Sequence, residues 1–237
     1  MYYIGLDLSI NYSSFTVSKD FKEFKFGSII NDTGLSMKKK NYFDELTFSL
    51  DGSFTLKYTN RSKKSNGVKS YTDNERDKLV NYIEVSNLLC NTLNDIIEYN
   101  QDVIIGIEGM AFGAQGMAVF DIPFLTGIIR RDLLVNVLKS DVKRLFIFSP
   151  SELKNTIGCK GNAKKGDIYN MFLQNPGIES VKEDFFYQYI LKNGFDPYIK
   201  QVNEKNGEVH IGSPFNDIID SYLPVLKFYK ELNPDQE

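Results

Sequence analysis

The chain has 237 residues, 42% of them hydrophobic and 25% charged, which is typical of one globular domain with a sizeable core. It contains no run of about 18 uncharged apolar residues and no basic N-terminal segment, so we predict neither a membrane span nor a signal peptide and expect a cytoplasmic protein. The net charge of −3 argues against the globally basic surface of most nucleic-acid-binding proteins, and the two cysteines, Cys90 and Cys159, lack metal-ligand spacing and are expected to be free thiols.

An apolar run from Tyr2 to Ser9 predicts a buried first strand with Asp7 near its end. A carboxylate in such a place is costly unless it is paired or bound to a metal. Alternating stretches at Phe15–Val17 and Glu23–Gly27 predict antiparallel strands two and three.

The segment from Asn31 to Thr72 is polar and rich in lysine, serine and asparagine. Asp51-Gly52 lies between two short runs, Leu46–Leu50 and Ser53–Tyr58, and this pattern favours a β-hairpin. We therefore predict an inserted hairpin and flexible arm that contacts a partner or DNA. A solvated loop is the alternative.

Thr72 or Asp73 is the candidate cap of a predicted helix that runs to about Tyr99. The next apolar run, Val103–Ile107, predicts a strand that ends in Glu108. Two predicted strands thus each carry one acid near the end, although an acid in that position is often only a loop anchor.

Further helices are predicted over residues 117–138, 151–157 and 165–173, with a strand over 145–148. The final helix has Ser213 as candidate N-cap and Pro214 at its first position. Asp217 and Asp220 share a face of this helix outside its apolar arc. They are either part of a site or solvated acids near a helix start, where the helix dipole favours negative charge.

Strands that alternate with long helices after residue 72 predict an α/β fold. Carboxylates gathered from three elements would repel and raise one another's pKa unless divalent cations neutralise them. Two metal ions about 3.5–4 Å apart are the usual device for in-line phosphodiester hydrolysis. Such chemistry needs no histidine, and His210 is the single histidine of the chain.

These segments resemble the RuvC-like Holliday junction resolvases of the ribonuclease H-like superfamily. The matching residues are Ile4–Ser9, Ile105–Glu108, Asn216–Ser221, Phe148–Lys154 and Gly161–Lys165. The resemblance implies a mixed five-stranded sheet, three antiparallel strands and then parallel ones, flanked by helices in one domain that carries the insertion at about 31–72. It also implies Mg²⁺-dependent cleavage of Holliday junctions and other branched DNA, usually by a homodimer. The long separation of Asp7 from Glu108 suits the divergent phage-type members.

The resemblance also implies roles for individual residues. Asp7, Glu108, Asp217 and Asp220 would bind two Mg²⁺ ions, for which Mn²⁺ is a substitute, and would be the catalytic groups. Asp7 would bridge both ions, and Asp220 would bind metal or orient the water. The segment after the predicted strand at 145–148 carries the basic DNA contacts, here Lys154, Lys160, Lys164 and Lys165. Phe112 is the candidate for stacking on a base.

Two other functions stay open at this point. An actin-like ATPase or sugar kinase also has an aspartate at the end of its first strand, although it needs a second, related domain. A junction-binding protein without catalysis is the other. The remaining basic runs, such as Lys38–Lys40, Arg61–Lys69, Arg130-Arg131 and Lys139–Arg144, are most simply solvated faces.

Overall fold

The computed structural model describes residues 1–31, 35–49, 54–59, 70–109, 118–194, 200–202 and 209–234. Its strands are β1 (Tyr2–Asp7), β2 (Tyr12–Lys19), β3 (Glu23–Asn31), β4 (Phe54–Thr59), β5 (Val103–Glu108), β6 (Leu145–Phe148), β7 (Lys200–Val202) and β8 (Val209–Ile211). Its α-helices are α1 (Met37–Ser49), α2 (Tyr71–Ile96), α3 (Ala118–Asn136), α4 (Pro150–Thr156), α5 (Lys165–Gln174), α6 (Phe185–Asn193) and α7 (Phe215–Leu232).

Six strands form one mixed sheet in the order β4-β3-β2-β1-β5-β6. Strand β2 is antiparallel to both β1 and β3, whereas β5 and β6 continue parallel to β1. Helices cover the sheet, so the expected α/β class and the expected order of antiparallel and parallel strands are confirmed. Strands β7 and β8 form a separate two-stranded ribbon.

The segment predicted as an inserted hairpin forms a helix and a strand instead, and the strand is the sixth of the sheet. Residues 37–49 form helix α1, and β4 pairs with β3 in parallel rather than folding back on a preceding strand. Parallel neighbours need a crossover connection, which α1 supplies. Phe43 and Leu46, three residues apart, are 0% and 3% exposed, so this helix has a buried face. Asp51, Gly52 and the basic run 61–69 lie outside the described residues.

Each face of the sheet has its own core. Side chains alternate along β1, so Ile4 and Leu6 pack with α2 and α3 while Tyr3 faces α7. The α7 side is rich in aromatic rings, among them the stacked pairs that Phe186 forms with Phe26 and Phe54 at centroid distances of 4.7 and 5.3 Å. The two cores hold the sheet between a pair of helices on one face and α7 with its neighbours on the other.

Helix α7 lies directly on β1 and β5 because both strands carry a glycine beneath it. Gly5 and Gly106 are neighbours in the parallel register. A Cβ atom at Gly5 would lie 2.0 Å from the carbonyl oxygen of Ser221, and one at Gly106 would lie 2.8 Å from Cβ of Pro224. The backbone of α7 at Gly5 and the Pro224 side chain at Gly106 therefore occupy the space that a side chain on the strands would fill.

The starts of two helices differ from the sequence prediction. Ser70 caps α2, since its Oγ accepts a hydrogen bond from the backbone N–H of Asp73 at 3.2 Å. Ser213 does not cap α7. Its hydroxyl donates to Oδ1 of Asn216 at 2.9 Å, and Pro214 takes the N-cap position without a side-chain hydrogen bond.

The expectation for the cysteines is confirmed, because Cys90 and Cys159 are both free. Within the described parts of the chain, no helix combines the length and the apolar composition that crossing a bilayer requires.

Replacing Gly5 by alanine tests the close approach of α7. The added methyl group would meet the backbone oxygen of Ser221, which cannot move without the helix, so we expect a loss of about 3 kcal/mol or more in the free energy of unfolding. The control is Gly127→Ala on α3, where nothing lies within 4 Å of the new atom, and it should stabilise by about 0.5–1 kcal/mol. Chemical denaturation measures both, and equal unfolding midpoints for the two variants would contradict the packing.

Candidate active site

Asp7 and Glu108 lie side by side at the carboxyl ends of two paired parallel strands. Each follows a glycine of the α7 contact by two residues, so the alternation of a strand places both acids on the face that α7 covers. The register pairs Leu6 with Ile107, immediately before the two acids. Both side chains are half-buried.

Asp217 and Asp220 reach the same place from above, on the first turns of α7. The contact of Ser221 with Gly5 brings these turns over the strand ends. Both aspartates are buried, with only 6% and 9% of their surface exposed, so the alternative of solvated acids at a helix start is wrong. The carboxylates of Asp7, Glu108 and Asp220 meet, with one oxygen of each lying within 4.8 Å of those of the other two.

Asp217 lies beside this group rather than within it. Its Oδ1 accepts hydrogen bonds from Nδ2 of Asn216 at 3.0 Å and from Nζ of Lys165 at 3.2 Å. Its Oδ2 is buried and has no hydrogen-bond partner among the described residues. A buried carboxylate oxygen without a donor is unfavourable, which indicates that a cation or donor from outside the chain completes this position.

Lys165, which the resemblance groups with the DNA contacts, makes two ion pairs within the acidic site. Its ammonium lies 3.2 Å from Oδ1 of Asp217 and 3.3 Å from Oδ2 of Asp220. Lys165 is the first residue of α5, whereas both aspartates belong to α7. The ion pairs therefore join the start of α5 to the acidic helix.

The other predicted DNA contacts lie around the start of α5. Nζ of Lys154 is half-buried and donates to the carbonyl oxygen of Ala163 at 3.0 Å. Lys160 and Lys164 are exposed on the connection between α4 and α5. Phe112 lies outside the described residues. His210 is on β8, opposite Gln201 in the two-stranded ribbon.

Charge in this site is unbalanced towards the negative. Burial and the neighbouring carboxylates of Asp220, Glu108 and Asp217 hold the pKa of Asp7 well above its ordinary value. Burial and the charge of Asp220 raise the pKa of Glu108 to about 7, against the partial opposition of Lys165 and Lys154. Burial also raises the pKa of Asp220, although Lys165 opposes the shift. The two lysines thus offset only part of the charge of the four acids.

The residues fit a divalent cation. All four candidate ligands offer carboxylate oxygens, the donor type that magnesium and manganese prefer. The unpartnered Oδ2 of Asp217 and the raised pKa of Asp7 both indicate that positive charge is missing from the site. Divalent cations would supply it.

Sequence reasoning missed the neighbours of Asp217 on β2 and α1. Burial raises the pKa of Tyr12, and the carboxylate of Asp217 adds to the shift. Nζ of Lys39 lies 5.7 Å from the centre of the Tyr12 ring. The sequence marked Lys38–Lys40 only as a basic run in a flexible arm, because the position of α1 depends on tertiary contacts that no local pattern indicates.

Solved structures similar to this chain cover nearly its whole length. Thermus thermophilus RuvC matches 98% of this chain and 97% of its own, with 12% identity and a TM-score of 0.47. T. thermophilus RuvC in complex with a Holliday junction substrate matches 98% and 96%, with 11% identity and a TM-score of 0.45. The yeast mitochondrial Holliday junction resolvase Ydc2 matches 98% and 85%, with 16% identity and a TM-score of 0.38.

No protein-family model and no curated protein matches the chain. The solved proteins named here are RuvC and a mitochondrial Holliday junction resolvase, which carry the name of the group that the sequence resemblance indicated. We base the proposed function on the geometry of the acidic site.

The acidic site predicts how stability depends on pH without divalent cations. The raised pKa of Glu108 means that folding favours its protonated form. The contribution of Glu108 to the free energy of unfolding is fully present below about pH 4.5, the pKa of this side chain in the unfolded chain. It is lost as the pH rises through about 7, the pKa in the folded chain. In thermal unfolding with a chelator, Tm should therefore fall across this interval, and Mg²⁺ at pH 7.5 should raise it again by binding the folded state.

Asp220→Asn should make the fall shallower, because after burial the charge of Asp220 is the main cause of the shift at Glu108. Asp95→Asn removes a carboxylate that is 75% exposed on α2 and serves as the control. An Asp220→Asn profile as steep as that of Asp95→Asn would contradict this account of the electrostatics.

Proposed function

We propose that this chain is a metal-dependent endonuclease that cleaves Holliday junctions and other branched DNA by hydrolysing phosphodiester bonds. The observation that carries the proposal is the meeting of the Asp7, Glu108 and Asp220 carboxylates, which come from two strands and a helix far apart in the sequence. Such a group is costly to assemble, and metal-dependent phosphodiester chemistry uses it. The resemblance of the surrounding segments to RuvC-like resolvases supplies the choice of branched DNA as substrate.

The proposed ligands are Asp7, Glu108, Asp217 and Asp220, holding two Mg²⁺ ions, with Mn²⁺ as a substitute. When bound, such ions activate the attacking water and stabilise charge on the leaving oxygen. The central position of Asp7, next to Glu108 on the sheet and to Asp220 above it, suits a ligand shared by both ions. Asn216 orients Asp217 by donating to its Oδ1.

In this proposal Lys165 stabilises the acidic site of the folded chain before any cation binds. Its ammonium lies 3.2 and 3.3 Å from Asp217 and Asp220 and compensates part of their charge within the folded chain. The neighbouring exposed lysines, Lys160 and Lys164, are proposed as phosphate contacts, and Lys154 as a further one beside Glu108. Phe112 remains the proposed base-stacking residue.

Symmetric cleavage of a four-way junction requires cuts in two strands. The described residues of one chain form one acidic site of this kind. We therefore propose that two copies act together as a homodimer, as the resemblance implies. A two-fold arrangement would match the symmetry of the junction.

Asp7→Asn tests the chemistry separately from binding. The variant should lose cleavage of a synthetic four-way junction by a factor of about 100 or more, because it loses a charged ligand. Its affinity for the junction should be unchanged or higher, since a negative charge near the DNA is removed. Denaturing gels measure cleavage in Mg²⁺, and gel shifts in a chelator measure binding.

Asp95→Asn on α2 is again the matched control and should cleave normally. Normal cleavage by Asp7→Asn would mean that the metal mechanism is wrong. If the wild-type chain binds junctions and cleaves none with either Mg²⁺ or Mn²⁺, it is a junction-binding protein without catalysis.

The double variant Lys160→Ala/Lys164→Ala tests the proposed phosphate contacts. Each true contact contributes about 0.9 to the slope of log affinity against log salt, so the slope should become shallower by up to about two units. Lys165 is left intact because its ion pairs belong to the acidic site. The control is Lys22→Ala/Lys25→Ala, which removes the same charge from exposed positions at the other end of the sheet. Equal slopes for the two double variants would mean that Lys160 and Lys164 are solvated lysines that do not contact phosphate.

A further inference from the structure

Helix α1, part of the insertion, is fixed against the acidic helix. The Phe43 ring of α1 is fully buried and contacts the Phe215 ring edge-on at a centroid distance of 6.2 Å. Phe215 is the first residue of α7 and precedes Asp217 by two. On the same helix, the hydroxyl of Tyr42 lies 2.9 Å from that of Tyr189 on α6. These contacts set the position of α1 relative to the acids.

Lys39 lies on the face of α1 that turns towards this contact. It precedes Phe43 by four residues, and its Nζ lies 5.4 Å from the centre of the Phe43 ring and 5.7 Å from that of Tyr12. Two rings from different elements thus hold one lysine side chain in place. Lys39 is half-buried, whereas the neighbouring Lys38 is exposed.

The ammonium of Lys39 is incompletely compensated. Across the described residues, no carboxylate lies within ion-pair distance of its Nζ, so the aromatic faces are its main partners. Burial lowers the pKa of Lys39, while the carboxylate of Asp217 acts in the opposite direction. An ammonium partly removed from water gains from an anion, and Asp217 is close enough to influence it without pairing with it.

We propose that Lys39 binds a backbone phosphate of the DNA strand that enters the acidic site, so that the inserted helix α1 forms part of the substrate-binding surface. This inference rests on the proposed function, and it adds a basic contact from an element other than the α4–α5 connection. An ammonium with three donors suits phosphate oxygens. Because the rings of Tyr12 and Phe43 already restrict the side chain, little further ordering is needed on binding.

The experiment compares Lys39→Met with Lys38→Met. Methionine keeps an unbranched apolar stem against the two rings and removes the charge, and Lys38 provides the same change one residue away at an exposed position. Binding of a fluorescently labelled four-way junction is measured by anisotropy in a chelator over a series of salt concentrations. Lys39→Met should bind about tenfold more weakly at low salt, with a slope shallower by about 0.9. Lys38→Met should stay within about twofold of the wild-type chain.

A third variant, Lys39→Arg, retains the charge and should retain most of the affinity, which separates loss of a phosphate contact from loss of packing. Should Lys39→Met fail to fold in a thermal melt, Lys39→Gln takes its place in the same series. Wild-type affinity and slope in the uncharged variant would overturn the inference, and so would an equal loss in Lys38→Met. A wild-type chain that binds no junction would instead overturn the proposed function.

Discussion

The contact of α7 with the glycine pair Gly5 and Gly106 is the constraint on which the rest of the structure depends. With no side chain on either strand at this point, the helix lies against the sheet itself. Two residues further along each strand stand Asp7 and Glu108, and one residue before the contact on the helix stands Asp220. The close packing of α7 on β1 and β5, which forms the core on this face, thus also determines the distances between the carboxylates.

A site assembled in this way stores unfavourable electrostatic energy. Three carboxylates meet at the end of the sheet, a fourth lies beside them, and the ion pairs of Lys165 offset only part of their repulsion. The buried aromatic core beneath α7 holds the helix in place against this repulsion. The unfavourable charge is concentrated at the place where the proposed cations would bind, and such local destabilisation is common in active sites.

Local patterns predicted the elements that carry the acids. The runs around Asp7 and Glu108 form strands, and the spacing of Asp217 and Asp220 places both on one helix, since strand alternation and helical period are properties of short segments. Burial of the two helical aspartates did not follow from that period, because it results from the two glycines on distant strands.

The features that the sequence did not predict depend on contacts between segments far apart in the chain or on a competing side-chain hydrogen bond. An Asp-Gly pair between short runs favours a hairpin, but β4 pairs with β3 in parallel, and the residues before it form a helix that buries Phe43. Lys165 resembled its exposed neighbours in sequence, and only the approach of α5 to α7 distinguishes it. Ser213 does not cap α7 as expected, because its hydroxyl donates a hydrogen bond to the side chain of Asn216 instead.

The ring of Phe54 on β4 stacks on Phe186, which in turn stacks on Phe215 at the first turn of the acidic helix. Helix α1 and strand β4 are therefore part of the packing that supports the acidic helix. Deleting α1 and β4 would remove the rings of Phe43 and Phe54 from the aromatic core beneath α7.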